Sequence, residues 1–307
     1  MNSARFDVVV VGTGFAGLYA LHRLRRLGWR ARVYEAAAGV GGTWWWNRYP
    51  GARCDVESLD YSCSFSPVLE QEWEWSERYA TQPEILRYLD HVADRFDLRR
   101  NIRFDTRVTA CTYVDNAGGY RPDHDRGGDD IWEIRTDRGD VVTARFVVMA
   151  TGCLSRPKPP GIAGAESFAG DTYHTTSWPH DGVDFTGRRV GVIGTGSSGI
   201  QAIPLIAEQA EHLTVFQRTA NFSSPARNGP LEPAYVAARK ANIAEYRRQA
   251  GHSHLGVVTE LAEGSAVDAD PAEGEQRFRA GWDRGSLFGV STSFADLLLD
   301  ARSNDLA

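Results

Sequence analysis

"FDVVVVGTGFAG", Phe6 to Gly17, decides the fold. Its opening is a nearly continuous apolar, β-branched run, as a strand buried on both faces requires. A glycine turn, GTGFAG, follows, then a helix-like stretch to about Leu27 and a second strand, Ala31 to Tyr34, ending at Glu35. Gly12 permits a tight turn, Gly14 lets a pyrophosphate approach the backbone, and Gly17 lets helix and strand pack closely. Phosphates would sit on the helix N-terminus, beside Phe15 and Ala16, where free N–H groups and the helix dipole favour anions. Glu35 lies 23 residues after Gly12, the spacing of an acid that binds a ribose hydroxyl pair. Strand, turn, helix, strand and acid together predict dinucleotide binding, by FAD or by NAD.

The pattern recurs. Arg189 to Ile193 reads as a strand, Gly194-Thr195-Gly196-Ser197-Ser198-Gly199 as a second glycine turn, and Leu213 to Phe216 as the next strand. Pro204 falls inside the intervening helix, where it can kink it. Counting 23 residues from Gly194 reaches Gln217, an amide, followed by Arg218. A carboxylate repels a 2′-phosphate and a guanidinium holds it, so this site reads as one for NADPH. A solvated surface arginine is the plainer reading of Arg218.

Between the two turns, Ala36 to about Thr81 reads as a long irregular segment of the kind that is usually functional. Five of the chain's nine Trp lie between Trp44 and Trp75, either as a packing surface or as a wall around a large planar ligand. Pro83 opens a helix with Ile85, Leu89, Val92 and Phe96 on one face. Ile102 to Val114, Ile131 to Thr136 and Val141 to Met149 read as strands. The polar stretch 115–130 reads as a hairpin tip, and RPKPPG, Arg156 to Gly161, as a stiff connector at a domain boundary. After Ala226, helices are expected over Leu231–Gln249, Ala272–Ala280 and Ser293–Leu299.

Bulk properties narrow the function. The 307 residues suffice for two domains. With 34 basic and 40 acidic residues, the net charge of -6 disfavours a nucleic-acid or anionic-membrane partner. No apolar run approaches membrane-spanning length, and the N-terminus carries no cleavable signal. Cys54, Cys63, Cys111 and Cys153 are scattered without a Cys-x-x-Cys pair, which suits a reducing cytoplasm and speaks against zinc and a redox-active disulfide; no metal site is expected. His252 and His254 read as loop histidines.

Just before the second turn stands Phe168-x-Gly170-x-x-x-His174-x-x-x-Trp178-Pro179. This resembles the fingerprint of type I Baeyer–Villiger monooxygenases. "GVGGTWWWNRYPGARCDVES" (Gly39 to Ser58), "QPEILRYL", "GVIGTGSSGIQ" and "FQRTANFSSPARN" extend the resemblance to about Asn228, to phenylacetone- and cyclohexanone-type members. N-oxidising flavin monooxygenases have a similar fingerprint that usually lacks the Trp-Pro ending. The resemblance implies an α/β fold of two Rossmann-like dinucleotide-binding domains, for FAD and NADP, with a helical insertion and an incomplete C-terminal part. The divisions are 1–152 for FAD, 153–226 for linker and NADP, and 227–307 for a helical domain.

The implied chemistry is hydride transfer from NADPH to FAD, reaction with O2 to a C4a-peroxyflavin, and oxidation of a small-molecule ketone to an ester or lactone. By motif match, Thr43, Trp44, Trp45, Trp46, Asp55 and Tyr61 border the flavin, and Val108 its adenine end. Asp55 also helps position a catalytic arginine; a loop-capping acid is its plainer reading. Arg53, the stretch Thr195 to Gln201, Arg218 and Thr219 contact NADP. His174 couples domain movement to catalysis, or is a hydrogen-bonded linker histidine. The family's arginine lies in a GTKR-like segment with no counterpart here, so the sequence reads as an N-terminal fragment. It is then either completed by a complementing C-terminal chain or reduced to a nucleotide-binding remnant.

Overall fold

The computed structural model describes residues 4–114, 131–158, 160–253, 256–258, 262–286 and 288–307. The expected hairpin tip, Pro159 of the connector and His254 lie outside them. Along the chain run β1 (Ala4–Val11), α1 (Phe15–Arg26), β2 (Ala31–Tyr34), α2 (Thr43–Trp46), α3 (Pro67–Glu72), α4 (Gln82–Arg95), β3 (Ile102–Arg103), β4 (Val108–Val114), β5 (Ile131–Thr136) and β6 (Val141–Met149). Then come β7 (Arg189–Ile193), α5 (Ser197–Ala207), β8 (His212–Phe216), α6 (Pro233–Ala241), α7 (Ile243–His252), α8 (Pro271–Arg284) and α9 (Ala301–Asn304). Among the described residues, no helix is long and apolar enough to cross a membrane.

The chain gathers into two compact units, Met1–Ala52 with Gln82–Phe185, and Arg53–Thr81 with Thr186–Ala307. The connector expected to divide the chain thus lies inside the first unit. The change comes later, at Phe185, and the later part of the irregular stretch, Arg53–Thr81, joins the second unit.

The first unit is built on a six-stranded sheet ordered β3-β2-β1-β6-β5-β4. β3, β2, β1 and β6 are parallel, and β5 and β4 complete it antiparallel. Val8, Val9 and Val10 are all but fully buried, which is why β1 lacks polar alternation. Leu18 and Leu21 of α1 and Ile85, Leu89 and Val92 of α4 are buried too. Phe96 falls beyond the end of α4 and packs its ring edge-on to His22.

The strand expected over Ile102–Val114 is two strands at opposite edges of the sheet. The chain turns at Asp105, a non-glycine residue with φ of 50°. Asp105 N and Thr106 N donate to the carbonyls of Ala37 and Glu35 at the end of β2, while Arg107 O accepts from Asp137 N after β5. These bonds hold the turn more firmly than the β-branched pattern could indicate.

In the second unit β7 and β8 pair in parallel, and α5 runs between them through Pro204. Leu231–Gln249 is broken into α6 and α7 at Asn242. Ser293–Leu299 forms turns, not a helix. Phe294 and Leu297 there are buried beside Ala266 and Phe278, so the apolar spacing that suggested a helix serves a folded-back loop. The segment Arg53–Thr81 contains α3, started by Ser66, whose side chain accepts from Leu69 N, and by Pro67 at the first helical positions.

Ion pairs hold this segment to the helices. Arg239 meets Asp60 at 2.7 Å and Arg247 meets Glu70 at 2.7 Å, with all four side chains at least four-fifths buried. Arg247 also donates to Ser62 Oγ and to the carbonyls of Leu59 and Asp60. Breaking a buried pair from one side costs about 3–5 kcal/mol, because the other charge stays desolvated. Arg247→Met should therefore lower the urea-unfolding free energy by about that much. Arg247→Met with Glu70→Leu should recover part of the loss.

Candidate functional site

The first glycine turn is shaped by close backbone approach. Gly12 has φ of +102°, and a Cβ there would stand 2.6 Å from Ala150 O. A Cβ on Gly17 would stand 1.9 Å from Gly12 O, and one on Gly42 would stand 2.9 Å from Gly14 Cα. Gly14 precedes α1 with no side-chain cap, and the first turn holds no acid. The N–H groups of Phe15, Ala16 and Gly17 therefore open a helix end suited to an anion.

Glu35 is buried, and its carboxylate is already engaged. Oε2 accepts from Thr13 N and Thr13 Oγ1, both at 2.7 Å, and Oε1 accepts from Ala37 N at 2.8 Å. The acid thus ties the end of β2 to the turn after β1. A carboxylate offers about four lone-pair sites, so these three bonds leave room for a ribose hydroxyl. Open helix end, close backbone and buried acid fit the ribose and pyrophosphate of a dinucleotide.

Around this turn the tryptophans have packing partners. Trp44 is buried and its carbonyl accepts from Gln82 Nε2. Trp45 lies under the Arg48 guanidinium at 5.0 Å and edge-on to His180 at 5.1 Å. Thr43 O accepts from both the backbone and the side chain of Asn47, and Trp46 is half-buried. Val108, at the start of β4, packs against the cluster of Phe6, Val9 and Tyr34.

The Phe168–Pro179 stretch belongs to the same unit. His174 caps the short 3-10 turn Thr175–Ser177, its Nδ1 accepting from Thr176 N at 3.2 Å. Trp178 is buried beside Tyr173 and Phe185. Pro179 O accepts from Gly182 N, and Gly170 leaves room for the ring of Phe168. His174 is thus hydrogen-bonded within its own stretch. The contact between His180 and Trp45 was not anticipated, because nothing in the local pattern pairs residues so far apart.

The second turn repeats the first with one change. Gly194 has φ of +101°, and a Cβ on Gly199 would stand 2.4 Å from Gly194 O. Gly196 precedes α5 without a side-chain cap, and no acid lies among Ser197, Ser198 and Gly199. Gln217 Nε2 donates to Thr195 Oγ1 at 2.7 Å, so a neutral amide latches this turn where a carboxylate latches the first. Arg218 and Thr219 are exposed just past β8, open to a phosphate.

Three further candidates meet beside α5. Gln201 Nε2 donates to Asp55 Oδ1 at 2.9 Å and to Arg53 O at 3.3 Å, and Gln201 Oε1 accepts from Arg53 N at 3.3 Å. The Arg53 guanidinium reaches Glu77 at 3.4 Å. Tyr61 is half-buried in the same unit, its N–H donating to Glu57 O. Asp55 is exposed and borders a cavity of about 160 Å³, together with Val56, Glu57, Tyr235, Arg239 and Phe288. No local pattern points to this cavity, whose walls come from separate helices and loops.

A profile described as "Pyridine nucleotide-disulphide oxidoreductase" matches residues 9–250. The chain belongs to this family. It is an FAD- and NADPH-binding family, and the disulphide of its description has no Cys-x-x-Cys pair here. A "Baeyer-Villiger monooxygenase" of Pseudooceanicola batsensis is 43% identical over 306 residues, covering 99% of this chain and 54% of that protein. A "Phenazine N-monooxygenase PhzNO1" of Lysobacter antibioticus is 39% identical, covering 100% of this chain and 54% of that protein. Among solved structures, "Oxidized steroid monooxygenase bound to NADP" shares 57% identity at a TM-score of 0.88, covering 98% of this chain and 55% of that one. The homologues include Baeyer–Villiger and cyclohexanone monooxygenases, in line with the sequence resemblance. The chain spans about half the length of the curated relatives it matches.

One site group titrates in a testable range. Tyr235 Oη donates to Glu57 Oε2 at 2.9 Å. Burial, and then the Glu57 charge, push its phenol from the ordinary 10 up to about 12. A folded-state pKa above the unfolded one gives stability that is complete below pH 10 and lost as pH rises through 12. The thermal unfolding midpoint should therefore fall across that window. Tyr235→Phe should flatten its share of the fall, and the ultraviolet phenolate signal should move correspondingly.

Proposed function

We propose that this chain carries the nucleotide-binding machinery of an FAD- and NADPH-dependent monooxygenase that oxidises ketones to esters or lactones. The observation that carries the reading is the pair of glycine turns, alike in backbone but latched by a carboxylate in one and by an amide followed by Arg218 in the other. A ribose diol suits the first and a 2′-phosphate the second. Bound FAD supplies the activation of O2, and NADPH the hydride.

The chain's own residues have simpler tasks. Gly12, Gly14 and Gly17 admit the FAD pyrophosphate, and Glu35 takes a ribose hydroxyl. Thr43, Trp44, Trp45 and Trp46 shape the flavin surroundings, and Val108 lies toward the adenine; Tyr61 is assigned to the flavin by motif match alone. Thr195 to Gly199 receive the NADPH pyrophosphate, while Arg218 and Thr219 hold its 2′-phosphate. Asp55 offers a negative charge beside the cavity. In this functional division 1–152 serves FAD, 153–226 serves NADP and 227–307 forms the helical part, although the contact units cut the chain elsewhere. The four cysteines, free in the structure, suit a cytoplasmic setting.

The whole reaction calls for a cation opposite Asp55, which a complementing C-terminal chain would supply. A nucleotide-binding remnant without oxygenation is the alternative reading. N-oxidation is the second reading, favoured by the similarity to a phenazine N-monooxygenase along the whole chain.

Purified chain is incubated with FAD, NADPH, O2 and a panel of cyclic and aryl ketones. Flavin absorbance and ester or lactone formation support the proposal. Flavin binding with ketone-independent NADPH oxidation leaves the remnant, and N-oxide formation from an aromatic amine favours the second reading. Arg218→Ala should weaken NADPH binding about ten- to hundredfold, the loss of a charge-assisted hydrogen bond, and leave NADH nearly unchanged. Equal losses for both nucleotides would assign Arg218 to the fold.

A further inference from the structure

The motif match places Gln201 among the NADP contacts, yet its side chain faces elsewhere. A primary amide has two N–H donors. Here one goes to Asp55 Oδ1 at 2.9 Å and the other to Arg53 O at 3.3 Å, while Oε1 accepts from Arg53 N at 3.3 Å. The opposite amide orientation would set oxygen against the carboxylate and N–H against N–H, so these partners fix the orientation. With both donors engaged, nothing remains to donate to a phosphate. The backbone of this stretch is independently anchored, by Cys54 N on Ala80 O at 3.1 Å and by the bridge from Arg53 to Thr81. What Gln201 adds is the direction of the exposed Asp55 carboxylate, whose residue lines the cavity.

The same residue sits on α5, which begins at Ser197 within the second glycine turn. Whatever moves that turn moves the donor that holds Asp55. We propose that Gln201 is a positioning residue that transmits the state of the nucleotide turn to the Asp55 carboxylate, and not a ligand of the nucleotide. This rests on the reading that the second turn binds NADP and that Asp55 faces the reacting groups.

Four proteins test it: the FAD-loaded parent, Gln201→Ala, Asp55→Ala and the double variant. NADP+ affinity is measured by titration calorimetry and stability by urea unfolding. Gln201→Ala should leave the NADP+ Kd within about twofold, since no donor to the nucleotide is lost. It should lower the folding equilibrium constant about tenfold, as loss of a hydrogen bond to a charged group does. In the Asp55→Ala background most of that tenfold should vanish, because the two residues share one interaction. In preparations that oxidise a ketone, Gln201→Ala should lower kcat without raising the KM for NADPH, a split that a purely structural role does not produce.

A tenfold rise in NADP+ Kd on Gln201→Ala, with Asp55→Ala unaffected, would make Gln201 a nucleotide ligand and overturn the proposal. Additive effects on unfolding would also overturn it, by showing that Gln201 does not hold Asp55. If the parent binds no NADP+, the nucleotide assignment of the second turn fails, and the unfolding comparison alone then decides for or against the clamp. If Gln201→Ala does not fold, Gln201→Met, of similar length and without hydrogen bonds, takes its place in every arm.

Discussion

A single buried carboxylate holds the first unit's functional geometry together. Glu35 grips Thr13 through both backbone and hydroxyl and grips Ala37 besides. These bonds fix where β2 ends relative to the turn after β1, and so where α1 starts and points. An ionised group in that position is costly unless its lone pairs are met, and here three donors meet them. The latch is therefore structural even before any ribose arrives. The acid at this position of a dinucleotide motif therefore shapes its own turn, with one lone pair left over. In the second turn Gln217 keeps the link to Thr195 while withdrawing the charge.

Much of the sheet was legible because its strands are short, β-branched and bounded by glycines. Ala31–Tyr34, Ile131–Thr136, Val141–Met149 and Arg189–Ile193 have the bounds their patterns suggest. β1 announces burial on both faces by lacking alternation. The glycine turns were legible for a stricter reason. At Gly12 and Gly17 any side chain collides with backbone, so the spacing encodes geometry directly and not through a statistical preference.

What stayed hidden depends on partners distant in sequence. The split between β3 and β4 is made by hydrogen bonds from Asp105 and Thr106 to the end of β2, which no local window contains. The Arg53–Thr81 segment is placed by Arg239 and Arg247, roughly 180 residues away. Ser293–Leu299 misled because Phe294 and Leu297, though helically spaced, answer to Phe278 and Ala266. Glu35, Gln201 and Asp55 could all be chosen from motifs. That Glu35 would be occupied by Thr13, or that the amide of Gln201 would turn to Asp55, could not.

The placing of β6 beside β1 has a consequence for the order of events during synthesis. Val10 pairs with Val148, so one flank of the most apolar strand waits for a partner 138 residues later in the chain. At translation speeds of about 5–20 residues per second, that wait lasts on the order of 7–28 seconds. Meanwhile β1 and β2 can pair, but the other edge of β1 presents unsatisfied backbone and bare valine to the cell. The ribosome-bound chain thus has a long interval in which another strand can occupy the place of β6, and a folding helper acting in that interval would do more for yield than one acting after release.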